Sequence, residues 1–169
     1  MLYQLAVLIH LLSAIVWIGG MLFLVLVLVP VARRSADSPE RATRLLGQIG
    51  RQFRPVGWVC LGLLVLTGLY LATDHWRVGL VDLFGGAGWF VHALQVKVGL
   101  VAVVLVLSAV HDFVLGPKLT TLLERRGEPV DIKRIRRNRS AVVWLARLNL
   151  LVALAVLVVA VMLTRGSPL

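Results

Sequence analysis

LYQLAVLIHLLSAIVWIGGMLFLVLVLV, residues 2–29, runs for twenty-eight positions without one Asp, Glu, Lys or Arg. A hydrocarbon core about 30 Å thick is crossed by roughly 20 apolar residues in helical form, so this stretch is long enough to span a bilayer. It has no basic leading segment and no small-residue cleavage site, and it exceeds the apolar core of a signal peptide. The segment is therefore expected to stay in the mature protein. Within it stand an imidazole at His10, an indole at Trp17 and a Gly19-Gly20 pair, and a lipid-spanning helix that keeps them calls for an explanation.

Three further segments repeat the pattern, at about 56–72, 89–115 and 141–164. Of the 169 residues 59% are hydrophobic and 15% charged, against about a quarter charged in a soluble domain. The expected fold is all-α: an integral membrane four-helix bundle, with residues 1–169 forming a single transmembrane domain. The lipid bilayer is its first partner.

The net charge of +10 is a matter of topology. Arg33, Arg34, Arg41, Arg44, Arg51 and Arg54 lie between segments one and two. Lys118, Arg125, Arg126, Lys133, Arg134, Arg136, Arg137 and Arg139 lie between segments three and four, so these two alternate loops hold fourteen of the eighteen basic residues. The positive-inside rule places both loops in the cytoplasm and both termini on the outer, periplasmic or extracellular, side of a cell (plasma or inner) membrane. No aromatic or glycine-rich recognition pattern accompanies the charge, so nucleic acid is not an expected partner; anionic lipid headgroups are. Tyr3, Tyr70, Trp76 and Trp89 near the outer boundary and Trp58 and Trp144 near the inner one form the expected aromatic belts, leaving Trp17 in mid-membrane. The stretch ADSPERATRLLGQIGRQF (36–53) is expected to form a short interfacial helix, and ERRGEPVDIKRIRRNRS (124–140) a solvated turn. The Gly85-Gly86-Ala87-Gly88 run of the outer loop follows no strand and precedes no Lys-Ser/Thr, so it is expected to be a turn and not a phosphate cradle.

A single cysteine, Cys60, excludes an internal disulfide and a Cys-only metal cluster; it is expected to pack within helix two. Chemistry must then come from polar side chains at membrane depth, which are costly in lipid and usually face the bundle interior. They are His10 in helix one, His92, Gln95, Lys97, His111 and Asp112 in helix three, and Arg147 and Asn149 in helix four; helix two contributes none. At about 1.5 Å per residue, His10 and Lys97 each lie roughly 12 Å in from the outer end of their helices. With His92 near the outer surface and His75 in the outer loop, they form an outer cluster. His10, Ala14, Trp17 and Met21 share one helix face, and the two glycines beside it can admit a partner helix or a flat cofactor. Near the inner end, Asp112 and Arg147 are expected to form an ion pair tying helix three to helix four, with His111 and Asn149 hydrogen-bonded nearby. His92 and His111 are separated by roughly 28 Å along one helix and cannot share an ion within one chain.

HLLSAIVWIGGMLFLVLVLVP, from His10 to Pro30, resembles the first-helix signature of copper-resistance protein D (CopD) domains, H-L-x-x-A-x-x-W-x-G-G-x-x-F. KVGLVAVVLVLSAVHDFVLGPKL, from Lys97 to Leu119, resembles a second helix of that family, which commonly carries Asn where this chain has His111. The resemblance implies copper ion transport or homeostasis, with a homo-oligomer or a partner membrane or periplasmic copper protein completing the machinery. The first motif is also similar to that of HemJ-type protoporphyrinogen oxidases, in which a helix-one His and a later Lys serve haem binding or catalysis; His10 and Lys97 match by type and order. That motif continues with a Tyr-Leu-Pro-Arg-like sequence where this chain has Met21-Leu22-Phe23-Leu24-Val25.

Three function classes follow. In copper handling, His10 with His92, and with His75 or a methionine such as Met1 or Met162, would take the ion; imidazole and thioether suit copper, Cu(I) above all. Lys97 would gate that site and must then be uncharged or paired elsewhere. In a haem b protein, an electron carrier or a porphyrinogen oxidase, His10 would be an axial ligand, Lys97 would pair with a propionate, and Trp17 would flank the cofactor. In a cofactor-free structural or assembly subunit, the polar residues only join helices. No Ser-His-Asp set, paired carboxylates, nucleotide loop or zinc spacing supports a hydrolase or a kinase.

Overall fold

The computed structural model describes residues 1–75, 78–79, 85–124 and 132–165, and among these all regular secondary structure is helical. Four long helices account for nearly all of them: α1 (Leu2–Ser35), α2 (39–75), α3 (89–124) and α4 (Ile132–Arg165). Each contains a window apolar enough to cross a membrane, with mean hydropathy between 1.9 and 2.7. The chain is a multi-pass membrane protein. Trp76, Arg77, Arg125 and Arg126, and the side chain of His75, lie outside the described residues.

The helices overrun the apolar segments. Residues 36–53 do not make a separate interfacial helix, because Pro39 begins a helix that continues unbroken to Tyr70. The segment expected as a turn at 124–140 is helical from Ile132 onward. A fall in hydropathy marks where lipid ends, whereas a helix already nucleated continues through Arg, Gln, Leu and Ala at little cost. What stops α1 is local. Ala36 turns extended, Ser38 caps α2 by accepting the Arg41 N–H at 3.2 Å, Pro39 takes the first helical position, and Asp37 pairs with Arg41. Both the cap and the proline are favoured there.

Two helices widen into π-helical turns, at Leu24–Leu28 in α1 and Val110–Leu115 in α3. Each lies just ahead of a proline, Pro30 or Pro117. A proline inside a helix lacks its N–H and crowds the carbonyl four residues back, here Leu26 or Phe113, and both sit in the widened turn that relieves the crowding. A third π-turn, Leu71–His75, closes α2. Gly88, with φ 110°, starts α3 in a backbone region that other residues rarely enter.

Packing pairs α1 with α2 and α3 with α4, while α1 also meets α4 and α2 meets the end of α3. Trp17, Cys60, Leu61, Val104 and Ala153 form the central buried cluster, against which Met21 and Trp58 pack. Cys60 thus packs in the core, as the sequence suggests, and Trp17, expected beside a cofactor, is buried in the same cluster. Leu12, Ile15, Leu66, Val106, Leu151 and Val158 are exposed, which suits a bundle surrounded by lipid.

Candidate functional site

His10 is half-buried in α1 and faces α2. Its Nδ1 lies 2.7 Å from Thr67 Oγ1. The Thr67 hydroxyl donates to the Leu63 carbonyl one turn back, so its proton is committed and its oxygen accepts from His10. In the neutral imidazole this puts the proton on Nδ1 and leaves Nε2 as the lone pair; no hydrogen bond reaches Nε2 among the described residues. Gly68 lies beside the ring, where a Cβ would stand 3.4 Å from His10 Cε1, at contact distance. An imidazole whose Nδ1–H is held by an oxygen, with Nε2 open, is the usual state of a metal-binding or iron-binding histidine.

Lys97, on α3, is half-buried like His10. His92 does not join them by any hydrogen bond. It is exposed in the first turns of α3, and its Nδ1 donates to Gln95 Oε1 at 3.0 Å. Among the described residues no three His, Cys, Asp or Glu side chains converge on one point. Trp17 lies further along the His10 face, buried to 6% exposure, with its ring beside Gly57. Of the two glycines expected to admit a partner, only Gly20 is approached: a Cβ there would fall 2.4 Å from the Phe53 ring of α2, while Gly19 has nothing within 4 Å.

Deeper in the bundle Asn149 is buried, and its amide donates to Ser108 Oγ at 3.1 Å and toward Met21 Sδ at 3.8 Å. One amide thus links α4 to α3 and α1, and its Oδ1 has no partner. Asn149 was expected beside Asp112 and is not bonded to it.

The expected Asp112–Arg147 ion pair is absent. Asp112 accepts from Trp58 Nε1 of α2 at 3.0 Å and from His111 Nδ1 at 2.9 Å. Arg147 is exposed, with its guanidinium 5.4 Å from the centre of the Trp144 ring on its own helix. The expectation rested on the similar depth of the two residues, and depth leaves open which neighbouring helix each side chain faces. Beside Asp112, the Trp58 and Phe113 rings are 5.4 Å apart, and the Arg54 guanidinium lies 5.5 Å from the Phe113 ring centre.

Three partners escaped sequence reasoning. Thr67 and Ser108 carry no charge and raise no expectation in the sequence, and Trp58 is expected there only as a member of the aromatic belt. The Thr67-Gly68 pair, a hydroxyl beside a residue without a side chain, was the available signal for the first.

The geometry defines a helical multi-pass membrane protein with an oriented imidazole between α1 and α2. Residues 12–128 match a family described as "Domain of unknown function (DUF4149)", and the chain belongs to that family. It is similar to an "Uncharacterized protein" of Aquifex aeolicus (strain VF5), 27% identical over 164 residues, which cover 96% of each chain. No solved structure matches it significantly.

Proposed function

We propose that this chain is a copper-handling protein of the CopD type in the cell (plasma or inner) membrane, with both termini outside and His10 receiving the ion from that side. The observation that carries the proposal is the Thr67-held ring of His10, which leaves Nε2 as an open ligand in a half-buried position. A metal-binding imidazole is characteristically oriented through its other nitrogen in this way. His92, whose Nδ1 is likewise engaged, and His75 would complete the coordination as the ion enters. Lys97, beside His10, gates the site by repulsion when charged.

Lys97 also favours a second reading. A cation next to an open imidazole suits a ligand that brings its own negative charge, and haem b, whose iron would take His10 Nε2 and whose propionate would meet Lys97, is such a ligand. Copper content of the purified protein, copper accumulation in cells, and a reduced-minus-oxidised visible spectrum of one detergent preparation separate the two. Bound copper and cellular copper uptake, both lost in His10→Ala, are expected. A Soret band lost in the same variant would replace copper by haem. Wild-type copper levels and a colourless protein in both forms would reduce the site to a structural joint.

A further inference from the structure

Arg54 precedes Thr67 by thirteen residues on α2, about 20 Å along the axis, so it marks the end of the bundle away from His10. Arg51 stands one turn further on, and both arginines reach across to α3. Arg51 Nη1 donates to Thr120 Oγ1 at 3.2 Å. The Thr120 hydroxyl gives its own proton to the Gly116 carbonyl, so toward Arg51 it is an acceptor. The Arg54 guanidinium lies 5.5 Å from the Phe113 ring centre, and a Cβ on Gly116 would stand 3.7 Å from its Nη2.

Two cations one turn apart on a helix repel each other, and among the described residues no carboxylate pairs with either. Asp112, in the same stretch of α3, gives its oxygens to Trp58 and His111. Arg54 Nε is buried and has no hydrogen-bond partner. A charged group stripped of water on one edge is costly unless it is paired, which leaves the Nη groups to take a compensating anion. The arginine fork matches phosphate oxygens two at a time. The surroundings decide the source of the phosphate. Toward the apolar part of α2 lies exposed Val59, and Phe113 under Arg54 is exposed as well, a surface suited to lipid. In the other direction an open groove is lined by Gln48, Gln52 and Arg51 itself. Positive charge between an apolar and a polar surface is the layout that a phospholipid requires, since its phosphate joins acyl chains to a polar alcohol.

We infer that Arg51 and Arg54 form a headgroup site for an anionic phospholipid between α2 and α3, with the phosphodiester bridging the two guanidiniums and an acyl chain lying over Phe113 and Val59. A zwitterionic lipid would bring its own ammonium group beside two uncompensated cations and is disfavoured. Basic pockets between membrane helices hold anionic headgroups in this manner. The inference narrows the affinity expected of the basic loops for anionic lipid to one place in the fold, and it does not depend on what His10 binds.

The test is native mass spectrometry of the full chain in detergent, titrated with dioleoylphosphatidylglycerol, dioleoylphosphatidylcholine or glycerol phosphate. Phosphatidylglycerol is expected to bind in preference to phosphatidylcholine. Arg51→Gln/Arg54→Gln should weaken it by about tenfold or more, the loss of charge-assisted hydrogen bonds, with the helical circular dichroism unchanged. Arg33→Gln/Arg34→Gln removes the same charge from two exposed residues at the end of α1 and should weaken binding by less than about twofold, as expected for solvated charges. Arg51 is exposed, so Arg51→Gln alone keeps the fold if the double variant does not, and it too should weaken phosphatidylglycerol binding. The inference is overturned if phosphatidylcholine binds equally well, if the Arg33/Arg34 variant loses as much as the Arg51/Arg54 variant, or if Arg51→Gln binds like the natural chain. Displacement of the lipid by an equal concentration of glycerol phosphate would also overturn it, by showing a site for free phosphate.

Discussion

Thr67→Val isolates the contact on which the functional proposal turns. Valine replaces the hydroxyl by a methyl of similar size, leaves the packing against His10 in place, and is close to threonine in helix preference. The hydroxyl that accepts the His10 Nδ1–H at 2.7 Å disappears, and a half-buried donor is left without an acceptor. A buried donor stranded in this way costs about 1 to 3 kcal/mol, while hydrogen bonds between membrane helices average only about 0.6 kcal/mol because the unfolded chain finds other partners. Thermal stability in detergent should therefore fall slightly. Copper affinity should fall much more, because removing the group that orients a metal-bound histidine typically costs 10- to 100-fold, about 1.4 to 2.7 kcal/mol. Thr67→Ser restores the hydroxyl and should recover most of the affinity. Competition titration against a copper chelator measures the binding, and nitrogen-15 spectra of the histidine rings report whether the proton sits on Nδ1 or Nε2. Wild-type copper affinity in Thr67→Val, alongside loss of binding in His10→Ala, would refute the orienting role; an Nε2–H tautomer in the wild-type protein would refute the geometry itself.

Three further outcomes follow from the packing. Gly20→Ala puts a Cβ within 2.4 Å of the Phe53 ring, and such overpacking should cost about 1 to 3 kcal/mol; Gly19→Ala, with nothing within 4 Å, should be neutral or slightly stabilising, and Phe53→Leu should relieve the first but not affect the second in thermal melts. Ser108→Ala should destabilise by up to about 1.7 kcal/mol by stranding the Asn149 amide, whereas Ser108→Ala/Asn149→Leu, which also removes the unpartnered Oδ1, should regain the loss; a double variant less stable than Ser108→Ala would count against the link. Asp112→Asn and Arg147→Ala should have additive effects on melting temperature because the residues have different partners, and coupling above about 0.5 kcal/mol would restore the ion pair between them.

The spans were legible because lipid imposes a simple requirement: enough apolar length to bury a helical backbone. A fixed rise per residue likewise assigns each polar residue a depth along its helix, with His10 and Lys97 at one level. Rotation about the helix axis was not legible. Depth alone does not say which neighbouring helix a side chain faces, so Asp112 was given to Arg147 of α4 although it bonds Trp58 of α2. Helix ends were equally obscure, because hydropathy reports the boundary of the bilayer and says little about where Arg41 or Arg134 stops being helical.

Threonine and tryptophan were the other blind spot, and for one reason. Sorting residues into apolar and ionisable hides those that pack like the first and bond like the second. Thr67 bonds its own backbone and so looks satisfied, yet a hydroxyl oxygen that has spent its proton still accepts from a neighbour, and that spare capacity fixes the His10 tautomer. Trp58 stacks by its ring on Phe113 and gives its one N–H to Asp112. In both cases α2, the helix with no ionisable residue at membrane depth, supplies the group that orients the ionisable residue of its neighbour. His10 and the His111–Asp112 pair are therefore oriented from a helix that the charge pattern alone marks as inert, and substitutions at Thr67 and Trp58 should alter the surroundings of both histidines without touching either.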